Sequence, residues 1–125
     1  ETVRVVFDTA LTSAADLVRL FFEIHDPTQV GGQGNDIGDQ YRSQIWTTTP
    51  EQLRDATALR AAYQEVLTER GFGPIQTDIS AAPDGDSTAR FWYAEDYHQQ
   101  YLFKNPGGYE CHARTGIACP ALPHE

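Results

Sequence analysis

The residues best placed to do chemistry sit in two stretches. The first is HDPTQVGGQGNDIGDQYRS, His25 to Ser43, nineteen residues holding four glycines, a proline and the polar pair Asp36 and Tyr41. It shows neither helical nor strand periodicity before Tyr41. Loops of this length inside a compact domain are commonly functional or disordered. The apolar segments on both sides favour order, and glycine allows positive φ and close backbone approach. A carboxylate and a phenol on such a loop suggest a shaped, hydrogen-bonding polar site. The second stretch is the Gly-rich tail GGYECHARTGIACP, with Cys111 and Cys119 as the chain's two cysteines. A single pair eight apart staples little of a domain this size, so a redox pair fits better than a structural bridge. Cys111, His112, Cys119 and His124 could in principle ligate zinc, but their spacing matches no recognised ligand pattern, and no metal is expected. His98, between Tyr97 and Tyr101, reads as a surface or edge histidine.

Several elements must position these groups. TVRVVFD, Thr2 to Asp8, has the β-branched content of a strand. Ser13 with Asp16 forms a capping-box-like start, and the helix it opens is expected to reach about His25 with Leu17, Leu20, Phe21 and Ile24 as its core stripe. Tyr41 to Thr48 predicts a second strand. Thr49-Pro50-Glu51 starts a long helix that should stop at Arg70–Gly71, burying Leu53, Ala56, Leu59, Ala62 or Tyr63, Val66 and Leu67. Ile75 to Ser80 predicts a third strand, and Ala82 to Ser87 a turn. Phe91-Trp92-Tyr93 leads to a short helix, Ala94 to Phe103, which Asn105-Pro106-Gly107-Gly108 ends. Little regular structure is expected from Tyr109 onward. Strands alternating with helices imply a single domain, residues 1–125, of layered α+β or α/β type.

HDPTQ followed by QGNDIGDQYRS, and then FWYAEDYHQQYLFKNPGGY, closely resembles the methionine sulfoxide reductases of the A type (MsrA), which reduce the S epimer of the sulfoxide. Asp39 stands where the family commonly has Thr. The resemblance covers nearly the whole chain. It implies an α+β fold, a mixed sheet with flanking helices in a ferredoxin-like sandwich core, and an irregular Cys-containing C-terminal tail. It implies no metal or organic cofactor, with thioredoxin and methionine-sulfoxide proteins or peptides as partners. By its position before TVRVVFD, Glu1 corresponds to the family's acid, and Asp36 and Tyr41 to the groups that hydrogen-bond substrate and water. Cys111 and Cys119 correspond to the recycling cysteines, and His98 falls near the rim of the substrate pocket.

The sequence departs from the family in one respect. The attacking cysteine of the family lies in a GCFWG motif before the glutamate, and that motif occurs nowhere in these 125 residues. The Phe and Trp that cradle the substrate methyl are missing with it. The expectation is therefore the C-terminal part of such a reductase, inactive alone unless another chain or a removed segment supplies GCFWG. A sulfoxide-binding module without turnover and a thiol–disulfide relay through Cys111 and Cys119 are the rival readings.

Composition narrows the partners. Hydrophobic content of 40% and aromatic content of 11% suit a globular domain with a core. The formal net charge is -9 with Lys104 as the one lysine, which argues against nucleic acid and anionic membrane. No apolar run approaches the ~18 residues of a membrane span. The lack of any methionine and the abrupt start in a strand pattern lead to the expectation of a processed, truncated or designed chain. A cytoplasmic location accords with the redox reading.

Overall fold

The computed structural model describes residues 2–38, 41–82, 95, 104 and 114–122. Helix α1 spans Ala14–Glu23 and helix α2 Pro50–Glu69. Between them lie β1 (Gly32–Gln33), β2 (Asp36–Ile37) and β3 (Gln44–Thr47), and after them β4 (Asp78–Ala81). β1 and β2 pair antiparallel, with Gly32 opposite Ile37 and Gln33 opposite Asp36. β3 and β4 pair parallel, Gln44 opposite Asp78 through Thr47 opposite Ala81. The long connection that a parallel pair requires is α2. The chain is α+β, as expected, with its parallel and antiparallel pairings in two separate ladders among the described residues.

The helix starts follow from their caps. Ser13 Oγ accepts from the Asp16 amide at 3.1 Å, and Thr49 Oγ1 accepts from the Gln52 amide at 3.1 Å. α2 ends in a Schellman turn: the Phe72 amide donates to Leu67 O and the Gly71 amide to Thr68 O, with Gly71 at φ 89°. That left-handed position is why the stop falls on a glycine.

The core lies where α1, α2 and the tail meet. Phe22, Leu59, Tyr63, Leu67, Cys119 and Leu122 are its buried members, with Ala15, Val18, Phe21, Ile45, Phe72, Ile75 and Ile117 packed around them. α2 buries Ala56, Leu59, Tyr63 and Leu67, close to the expected face. α1 is rotated from its expected orientation. Its inner face is Ala15, Val18, Phe22 and the expected Phe21, while Leu20 is 52% and Ile24 42% exposed. The helix is apolar around most of its circumference, so periodicity alone left two stripes to choose between.

Two further expectations are corrected. Thr2 to Asp8 joins no ladder among the described residues, and Val3, Val5 and Val6 are exposed. A β-branched run supplies propensity but no partner backbone, and pairing is what makes a strand. The tail is irregular, as expected, but it is not loose. Tyr63 Oη donates to Ile117 O at 2.7 Å and meets Thr115 Oγ1 at 2.7 Å. The Cys119 amide donates to Glu23 Oε2 at 2.8 Å, and Arg19 Nε donates to Cys119 O at 3.2 Å. Both helices thus grip residues 114–122. The aromatic cluster at 91–93, the turn after Ala82 and the helix expected over 94–103 fall outside the described residues but for Glu95.

Candidate active site

The Gly-rich loop is ordered by its own side chains. Asp26 Oδ1 accepts from the Thr28 amide at 2.9 Å and from Thr28 Oγ1 at 2.6 Å, turning the chain at Pro27. Gln29 grips Gly34 from both sides: its Oε1 accepts from the Gly34 amide at 2.7 Å and its Nε2 donates to Gly34 O at 3.1 Å. The β1–β2 hairpin forms inside this grip. Gly32 is buried so tightly that a Cβ there would lie 2.2 Å from Asp36 O. The Gly38 amide then donates to Gly31 O at 2.9 Å and the Tyr41 amide to Gly38 O at 3.0 Å.

Gln33 ties the main chain at Asp36 to the main chain at Tyr41. Gln33 is the register partner of Asp36, and its Nε2 donates to Tyr41 O at 2.9 Å. Both Asp36 and Tyr41 are half-buried. A carboxylate offers acceptors only and a phenol offers a donor, so together they can orient a polar ligand and a water. Glu1, His98 and Cys111 lie outside the described residues. Among those described, no helix is long and apolar enough to cross a membrane, and no three His, Cys, Asp or Glu gather as metal ligands.

Cys119 is the site residue whose placement differs from expectation. The redox pair expected of Cys111 and Cys119 needs accessible thiols. Cys119 is a free thiol, 1% exposed, inside the core. Burial, reinforced by the Glu23 carboxylate and opposed by Arg19, pushes its pKa up from 9.0 to about 11. In this conformation it is a small core hydrophobe, not a nucleophile, which counts against a relay working from this state. The sequence signal was present but outweighed: Ile117, Cys119 and Leu122 are apolar at spacings that let an irregular segment plug a core, and the glycines suggested mobility instead.

Sequence reasoning also passed over His25, Ser43 and Thr77. His25 Nε2 lies 2.8 Å from Ser43 Oγ, which lies 2.6 Å from Thr77 Oγ1, and all three residues are buried. His25 Nδ1 lies 2.7 Å from Phe21 O. The one available hint was that His25 and Ser43 are the first and last residues of the loop.

A family profile described as Peptide methionine sulfoxide reductase matches residues 1–122. The chain belongs to that family. Its relatives include the peptide methionine sulfoxide reductase MsrA of Azorhizobium caulinodans, 55% identical over 120 residues, and the human mitochondrial peptide methionine sulfoxide reductase, 51% identical over 120 residues. Each match covers 96% of this chain, but 52% and 48% of those proteins. The chain thus spans about half the length of the curated family members it matches. Among solved structures it is similar to Mxr1 from Saccharomyces cerevisiae in reduced form, with TM-score 0.73 at 32% identity over 86% of this chain and 54% of that one. It is also similar to methionine sulfoxide reductase A of Corynebacterium diphtheriae, with TM-score 0.68 at 42% identity over 88% and 53%.

Proposed function

We propose that this chain carries the acid and hydrogen-bonding part of a peptide-methionine (S)-S-oxide reductase recycled by thioredoxin. The observation that carries the reading is the ordered hairpin that sets Asp36 and Tyr41 on one loop, in a chain of this family. In the proposed reaction a thiolate attacks the sulfoxide sulfur, forming an S–S bond as the S–O bond breaks and the oxygen leaves as water with two protons. Water then attacks the former thiol sulfur, breaking the S–S bond, releasing the thioether and one proton and leaving a sulfenic acid. The sulfoxide is reduced to the thioether, and the thiol is oxidised to sulfenic acid, so two electrons pass from one sulfur to the other. Glu1 is assigned the protonation. Asp36 and Tyr41 hold the oxygen and water while charge develops. Cys111 then condenses with the sulfenic acid, releasing water and leaving a disulfide. Cys119 carries that disulfide outward to thioredoxin, a step that requires residues 114–122 to leave their seat.

The attacking thiol is assigned to a GCFWG-bearing segment, in cis or on another chain. The substrates proposed are methionine sulfoxide in proteins and in free form, the location is cytoplasmic, and no metal or organic cofactor is assigned. The test is turnover of S-epimer methionine sulfoxide with dithiothreitol. Pure 125-residue chain should be inactive, and joining the GCFWG segment of a relative should restore activity. In the joined enzyme Glu1→Gln should lower kcat by about 10²–10⁴ with a smaller effect on KM. Turnover by the chain alone, or an unchanged kcat in the variant, would overturn the assignment.

A further inference from the structure

The base of the Gly-rich loop is built on one short strand of chain. The Gln76 amide donates to Pro27 O at 2.7 Å where the loop begins, and the Asp78 amide donates to Ser43 O at 3.1 Å where it ends. Between those two backbone bonds, the side chains of His25, Ser43 and Thr77 join across the interior. Arg60 of α2 completes the line, its Nη1 donating to Thr77 O at 3.0 Å.

The direction of this line is fixed by chemistry. A carbonyl can only accept, so Nδ1 of His25 carries the proton and donates to Phe21 O. In a neutral ring Nε2 is then an acceptor, Ser43 donates to it, and Thr77 donates to Ser43. Every polar atom is satisfied, and among the described residues no buried side-chain nitrogen or oxygen is left without a partner. Protonating Nε2 turns the acceptor into a donor and reverses both hydroxyls, which leaves Thr77 needing a new acceptor inside the core.

We propose that His25, Ser43 and Thr77 form a positioning clasp that closes the base of the 25–43 loop and holds the shape in which it presents Asp36 and Tyr41. The proposal rests on the reductase reading for the role of those two residues. The clasp works with a neutral ring. Burial lowers the His25 pKa below 6.5, against the Phe21 carbonyl and the Asp26 charge, which raise it. The other charges on the neighbouring elements are engaged. Glu23 of α1 accepts from Cys119, Arg60 of α2 serves Thr77 O, and Arg42 pairs with Asp78 at the surface at 3.5 Å.

The experiment measures amide hydrogen-exchange protection on this chain, at Gly34, Gly38 and Tyr41 in the loop and at Tyr63 in α2. NMR signals of His25, Asp36 and Tyr41 are followed with pH alongside. Ser43→Ala should lower loop protection by at least about tenfold while α2 keeps its own, because the ring nitrogen loses its buried partner. Thr77→Val, which keeps the volume, should act in the same direction. In the parent chain, loop protection and the Asp36 and Tyr41 signals should change together with protonation of His25. In His25→Gln, which keeps a polar partner for Ser43 but cannot titrate there, that acid limb should vanish. Unchanged loop protection in both Ser43→Ala and Thr77→Val would overturn the clasp, as would survival of the acid limb in His25→Gln. These readouts need no turnover, so a failed reductase assay leaves them standing.

Discussion

Cys119 gives the sharpest quantitative test of the structure. Its sulfur is buried, and its pKa is pushed up from 9.0 to about 11. At pH 8 a thiol titrating near 9 is about 10% thiolate, and one near 11 about 0.1%. Alkylation proceeds through the thiolate. Ionisation alone should therefore slow iodoacetamide labelling of Cys119 in the folded chain about a hundredfold relative to the chain in urea. Steric closure by Phe22, Tyr63 and Leu122 should slow it further. The assay is timed labelling at pH 8 followed by mass spectrometry of the peptide holding Cys119, which separates it from Cys111. The same shift acts on stability. The unfolded chain releases this proton near pH 9, while the folded chain keeps it to about 11. The contribution is full below 9 and is lost as pH rises through that window, at most about 2–3 kcal/mol. Labelling of the folded chain as fast as in urea would refute both the burial and the linkage.

Two other perturbations test the elements around the site. Gly32→Ala places a methyl 2.2 Å from Asp36 O, so it should open the β1–β2 hairpin, cost about 1–3 kcal/mol by urea denaturation and expose the Gly38 amide to exchange; an unchanged midpoint would show that the hairpin is not as drawn. Tyr63→Phe removes the hydroxyl that bonds Ile117 O and Thr115 Oγ1 and should cost about 1–2 kcal/mol, with faster Cys119 labelling as the tail loosens; unchanged labelling would show that this hydroxyl does not hold the tail.

Where local chemistry decides, the sequence was readable. Thr49-Pro50 and Gly71 marked α2 almost to the residue, because a cap, a ring-locked φ and a left-handed stop each act within one turn. Ser13 did the same for α1. The loop was recognised as ordered, but its two-residue ladders were not, since Gln29 and Gln33 set them through side-chain bonds that no periodicity records. On α1 the sequence placed Phe21 against the core but also Leu20 and Ile24, which are exposed, because only the docking of α2 and the tail centres the buried face on Val18 and Phe22. The placement of Cys119 was missed for the same reason: a plug in a core is specified by the hole, and the hole is made by residues far away in the chain. Asp36 and Tyr41 came from the motif, whereas the line from His25 to Thr77 joins residues that are 52 positions apart, 77 less 25.

The seat of Cys119 has an electrochemical consequence. Any disulfide that Cys119 enters must form from a state in which residues 114–122 have left the core, so the free energy of that local opening enters the reduction potential of the couple. About 1.4 kcal/mol of opening energy corresponds to about 30 mV for a two-electron thiol–disulfide pair. Leu122 and Ile117 never touch an electron, yet trimming either should shift the potential in the oxidised form's favour. In this fold, the packing of two aliphatic side chains is a tuning element for sulfur.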